Sequence, residues 1–175
     1  MKNSGIVRRL DELGRIVIPK ELRRTLRIKD GDELEISVND DKLVLRKYSA
    51  IEAVEPAAKA AAKMLSEATG ADVLFLDSAK VVIADGKNRS AYQNAELTEK
   101  FADMLLSRKS LVLHGDDAKD LFLSATPVYF YICIEPILVG GDLIGSLCVA
   151  LDTMPSDLAR AYLKFVATMF EAVLA

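Results

Sequence analysis

Six cations crowd the stretch from residue 8 to residue 24: Arg8, Arg9, Arg15, Lys20, Arg23 and Arg24. A guanidinium offers five donors in a planar fork and keeps its charge at any accessible pH, which suits phosphate oxygens and guanine edges. Lys20, Arg23, Arg24 and Arg27 recur at i, i+3, i+4 and i+7, one stripe of a helix. The chemistry open to such a set is charge-assisted binding of a polyanion. Three acids interrupt it (Asp11, Glu12 and Glu21), and a surface ion pair such as Asp11 with Arg15 engages part of the charge.

Residues 1–29 carry nine Lys or Arg against three acids, a net of +6, whereas the whole 175-residue chain stands at −3 and the remainder at −9. A run of charge on a helix is ordinarily a solvated face. Confinement of the positive charge to one end is the electrostatic footprint of a nucleic-acid binder.

The elements that must position these cations are short. Residues 5–10 alternate as a strand does, Asp11–Gly14 reads as a turn, and Arg15–Ile18 reads as a second strand. Pro19 suits the first position of a short helix, where a missing N–H costs nothing. Lys29-Asp30-Gly31-Asp32 is turn chemistry. Leu34, Ile36 and Val38 then alternate with polar residues, and Asp40-Asp41 turns the chain into a second hairpin arm, Lys42–Lys47. About fifty residues of hairpin, helix and hairpin bury too little surface to stand alone. Pairing of two copies is the expected remedy, and it doubles the basic surface.

The run from Gly5 to Leu26, with Arg8-Arg9, Asp11-Glu12-Leu13-Gly14-Arg15, Ile18-Pro19 and Glu21-Leu22-Arg23-Arg24 in place, resembles the N-terminal signature of the AbrB transition-state regulators. Lys47-Tyr48 resembles the end of that domain. The resemblance implies a swapped-hairpin β-barrel in which two chains interleave, and DNA contacts by Arg8, Arg15, Arg23 and Arg24. Charge and spacing add Arg9 and Lys20 as candidates, with Arg27 a weaker one.

Past a linker at 51–55 the composition changes. Pro56–Ala68 reads as an Ala-rich helix ended by Gly70, followed by strands at Asp72–Leu76 and Lys80–Ala84. A polar loop at Asp85–Ser90, a helix at Ala95–Arg108, a brief strand at Leu111–Leu113 and an acidic loop at Asp116–Asp120 come next. Val128–Val139 and Ile144–Leu151 read as a long hairpin about Gly140-Gly141-Asp142, and a final helix runs from Ser156 or Asp157 to Leu174. This order, with Val128–Ile137 and Gly140–Gly145 as its late hairpin, resembles a GAF domain, the small α/β sensory module. The expected fold class is therefore α+β in two domains: a dimeric swapped-hairpin barrel at 1–50 and a GAF-like α/β domain at 56–175.

The final helix carries more apolar surface than one contact needs. Ala159, Tyr162, Val166, Met169 and Val173 form one stripe, and Leu158, Leu163, Phe165, Phe170 and Leu174 widen it. Association between GAF-like domains, giving a homotetramer, is the expectation. Tyr129, Tyr131 and Cys133 are candidates for a ligand pocket for a small-molecule or protein effector, alternation sending both tyrosines to one face.

No Ser-His-Asp set, paired catalytic carboxylates or phosphate-binding lysine motif occurs, so an enzyme is not expected, and no cofactor is implied. His114 is the only histidine and stands apart from Cys133 and Cys148, so no metal site is expected. Nor does the chain carry a Cys-His pair placed for a bilin or the Asn-Lys…Phe…Asp-Glu set of cyclic-nucleotide GAF domains. Two cysteines, no signal-like start and no apolar run of membrane-spanning length point to the cytoplasm. The sequence thus reads as a DNA-binding transcriptional regulator of double-stranded promoter DNA. An antitoxin-like DNA-binding protein is the alternative, because the same barrel serves to neutralise toxins.

Overall fold

Alternation along Asp72–Leu76 sends Val73 and Phe75 to one side of a sheet and Leu74 and Leu76 to the other, and all are buried. A strand apolar on both faces needs helices on both faces, and that sets the architecture of the larger part of the molecule. The computed structural model describes residues 5–26, 28, 30–124, 127 and 129–175. It divides into two units, Met1–Tyr48 and Ser49–Ala175.

In the first unit, helix α1 (Lys20–Thr25) follows Pro19, and strands β1 (Leu34–Asn39) and β2 (Lys42–Lys47) pair antiparallel from Leu34↔Lys47 to Asn39↔Lys42. Asp40, at φ 53, turns the hairpin, a backbone region Asp tolerates. The turn expected at Asp11–Gly14 is present, closed by the Asp11 N–H to the Arg15 carbonyl at 3.1 Å and the Gly14 N–H to the Asp11 carbonyl at 3.0 Å.

Its arms, residues 5–10 and 15–18, are not strands. A strand requires a neighbour for its amides, and among the described residues none pairs with these arms. The apolar side chains of the arms are correspondingly uncovered: Val7 is 88% exposed, Leu10 67% and Val17 76%. Leu22 of α1 and Leu26 just after it are exposed as well. Arg27 and Lys29 lie outside the described residues, as does Val128, the expected start of the long strand.

The second unit is a five-stranded, wholly antiparallel sheet of order β4-β3-β7-β6-β5. Its strands are β3 (Asp72–Leu76), β4 (Val81–Asp85), β5 (Leu111–His114), β6 (Tyr131–Val139) and β7 (Asp142–Leu151). One face packs on α2 (Ala50–Ala53), α3 (Glu55–Thr69) and α6 (Asp157–Leu174), through Ile51, Ala58, Leu65, Leu163 and Phe170. The opposite face packs on α4 (Arg89–Tyr92) and α5 (Glu99–Leu105), where Tyr92, Phe101 and Phe122 meet edge to face.

Several sequence expectations shift. Residues 51–55, read as a linker, enter helices α2 and α3, because Ile51 is fully buried in the core of the second unit. The helix expected from Ala95 starts at Glu99, where the Thr98 hydroxyl caps it by accepting the Phe101 N–H. Residues 95–97 are instead held extended, with the Leu97 N–H on the Ala79 carbonyl. Part of the polar loop is the short helix α4. On the outer edge of β4, the Gln93 side-chain amide accepts from the Ala84 N–H and donates to the Val82 carbonyl. It stands where a further strand would pair.

Candidate nucleic-acid interface

Helix α1 and the Asp11–Gly14 turn place the sequence-predicted cations on the surface of the first unit. Arg8 and Arg9 lie on the arm before the turn and Arg15 just after it; Lys20 opens α1, and Arg23 and Arg24 lie in its last turn. Arg8, Arg9, Lys20 and Arg24 are exposed and make no ion pair among the described residues.

Two arginines do have carboxylate partners. Arg15 Nε donates to Asp11 Oδ2 at 2.7 Å. Arg23 Nη1 donates to Asp30 Oδ1 at 2.9 Å, while its Nε is enclosed without a partner among the described residues. Asp11 also accepts the backbone N–H of Arg15 at 2.7 Å and of Leu13 at 3.0 Å on Oδ1. The Arg15 backbone and side-chain bonds hold the Asp11 carboxyl below the usual carboxylate range. The exposed Arg23–Asp30 pair holds little free energy, so phosphate can compete for that terminal nitrogen, whereas the Arg15 pair engages only Nε and leaves both terminal nitrogens unbonded among the described residues. The sequence named the Asp11–Arg15 pair; it missed Asp30, whose only signal was its place in an ordinary turn.

The three pocket candidates of the second unit are not brought together. Cys133 floors a cleft of about 450 Å³ between α3 and α6, with Leu65, Val149, Arg160 and Tyr162 among its walls. Tyr131, at the start of β6, rests against His114 and Phe130. Tyr129 precedes the strand, so alternation does not govern it, and it packs on the other face of the sheet. There its hydroxyl donates to Asp72 Oδ2 at 2.5 Å and accepts from Asn88 Nδ2 at 2.6 Å. Burial and the bond to Asp72 push the Tyr129 hydroxyl up to about 12.

Asp72 is 1% exposed and has no cationic partner among the described residues; the Asn88 backbone N–H and amide, each at 2.9 Å, and Tyr129 satisfy it. This network escaped the sequence reading because Asn88 sits in a loop that looked only polar. Among the described residues no cluster of His, Cys, Asp or Glu could hold a metal ion, and no helix is long and apolar enough to cross a membrane.

Comparison with known proteins decides the family. Residues 54–171 match the family described as stage V sporulation protein T C-terminal, transcription factor. The chain is 37% identical to stage V sporulation protein T of Bacillus subtilis over 150 residues, covering 85% of this chain and 84% of that one. This chain belongs to the stage V sporulation protein T family.

Its first residues add a second relationship. The transition state regulatory protein AbrB of Bacillus subtilis is 44% identical over 89 residues, 51% of this chain and 93% of that protein. Residues 7–52 match the MazE bacterial antitoxin family. The GAF domain of an Acinetobacter phosphoenolpyruvate-protein phosphotransferase superposes with a TM-score of 0.57 at 13% identity, over 73% of this chain and 83% of that one, which shows the fold alone. The expected combination therefore holds: an AbrB-type N-terminal domain and a GAF-like domain in a DNA-binding transcriptional regulator of the sporulation and transition-state type.

Proposed function

We propose that this regulator binds double-stranded promoter DNA as a homodimer of its first unit, in the cytoplasm, and that it carries out no catalysis. Arg8 and Arg15 approach DNA from the turn, Lys20, Arg23 and Arg24 from α1, and Arg9 adds charge beside them. The observation that carries this reading is the coincidence, in one small unit, of exposed cations with apolar arms that have no cover among the described residues. A second copy interleaving its hairpins supplies both the missing strand neighbours and a second set of arginines.

The exposed side of α6 supports a homotetramer through the second units. Leu163, Val166, Ala167 and Phe170 pack on the sheet, while Leu158, Tyr162, Phe165, Met169 and Val173 form a second apolar stripe open to solvent. A small-molecule or protein effector at the Cys133 cleft would act by preferring one arrangement of the DNA-binding pairs over another.

The test is DNA binding by full-length Arg15→Ala and Arg23→Ala across a salt series. Both variants bind more weakly, and the log–log salt slope falls by roughly 0.9 per chain for each phosphate that the variant no longer neutralises. Binding equal to the parent at every salt concentration overturns the assignment. The match of residues 7–52 to the MazE family favours a second reading, an antitoxin-like protein that neutralises a toxin partner. Recovery of a small toxin with the full-length chain would decide for it.

A further inference from the structure

We infer that Asp11 is a positioning residue for the DNA contact of Arg15, fixing both the backbone from which that side chain departs and the inner nitrogen of its guanidinium. The inference rests on the reading of Arg15 as a DNA contact. Its ground is the division of labour within one carboxylate. Oδ1 accepts the Leu13 and Arg15 backbone N–H groups at 3.0 and 2.7 Å, and Oδ2 accepts Arg15 Nε at 2.7 Å.

The backbone reinforces that arrangement. Asp11 donates its own N–H to the Arg15 carbonyl at 3.1 Å and accepts the Gly14 N–H at 3.0 Å, so main chain and side chain close the same turn. Gly14, at φ 75, supplies the left-handed residue that such a turn needs. The Arg15 side chain is nonetheless 73% exposed, and its two terminal nitrogens make no bond among the described residues. A guanidinium held by Nε keeps that terminal pair for a phosphate or for the O6 and N7 edge of guanine. Holding it in advance lowers the ordering cost that a free arginine meets on binding.

An acid beside a polyanion is electrostatically unfavourable, and this gives the test its sign. Net charge alone predicts that neutralising Asp11 tightens binding. Positioning predicts the reverse. In Asp11→Asn the side-chain oxygen still accepts the two backbone N–H groups, whereas the amide nitrogen cannot accept Arg15 Nε. Asp11→Ser repeats the experiment with a hydroxyl that can also close the turn.

The full-length chain, its two Asp11 variants, Arg15→Ala and the Asp11→Asn/Arg15→Ala double variant are titrated against promoter duplexes selected by the parent protein. The Asp11 variants lose about three- to tenfold in affinity, the cost of ordering one free arginine side chain per contact. They keep the parent salt slope, because every phosphate stays neutralised as before. The double variant binds like Arg15→Ala alone, since the two residues act through one contact. If Asp11→Asn or a folded Asp11→Ser binds as tightly as the parent or tighter while Arg15→Ala still weakens binding, the positioning role is wrong and the DNA contact stands. If Arg15→Ala binds like the parent, the contact itself is wrong.

Discussion

Cys133 and Cys148 sit on neighbouring antiparallel strands yet face opposite sides of the sheet, Cys133 with the α3 and α6 core and Cys148 with the α4 and α5 core. The register pairs Cys133 with Val149 and Ile134 with Cys148, an offset of one residue, and one residue reverses the face of a strand. Their sulfurs therefore have the sheet between them, and a disulfide within the chain is excluded by geometry.

Burial pushes the Cys133 thiol up to about 11 and the Cys148 thiol well above its ordinary range. The thiolate is the reactive form. A colorimetric thiol reagent at neutral pH accordingly finds neither group in native protein and both after denaturation. Rapid native labelling of either would show that the sheet opens around it.

Tyr129→Phe removes one of the donors to a carboxylate that is almost wholly buried. The expected loss of stability at neutral pH is about 1–3 kcal/mol, read from denaturant midpoints. The pH dependence has a definite sign. A hydroxyl raised from its ordinary value of 10 to about 12 in the folded chain contributes stability that is full below pH 10 and is lost as pH rises through about 12. The parent therefore loses this increment across that alkaline window, and the Phe variant does not. Parallel curves for the two proteins would mean that Tyr129 does not titrate against Asp72.

Phe165→Glu and Met169→Lys alter side chains of α6 that are exposed in the single chain. Each variant still folds with a cooperative thermal transition of the second unit, because the buried stripe from Leu163 to Phe170 is untouched, and that transition no longer depends on protein concentration as the parent's does. Sedimentation of the full-length protein then shows a species half the mass of the parent assembly. An unchanged mass would place the association of the second units on another surface.

The legibility of this molecule depended on whether a residue's neighbours were near it in sequence. The Asp11–Gly14 turn, the Asp40-Asp41 turn and the stop at Gly70 are local, and all three were readable from residue chemistry. The arms at 5–10 and 15–18 read as strands by alternation, but alternation records a demand for partners and cannot supply them within one chain. Parity puts Tyr129 on the face of Tyr131, but parity does not apply to it because the strand begins only at Tyr131. The cations were visible as a charge concentration. The atoms that restrain Arg23 were not, since Asp30 lies seven residues away around a turn.

Gln93 lends its amide to the outer edge of β4, making bonds to Val82 and Ala84 that a neighbouring polypeptide would otherwise make. A sheet sealed this way offers passing molecules no template on that margin, and open-ended stacking cannot start there.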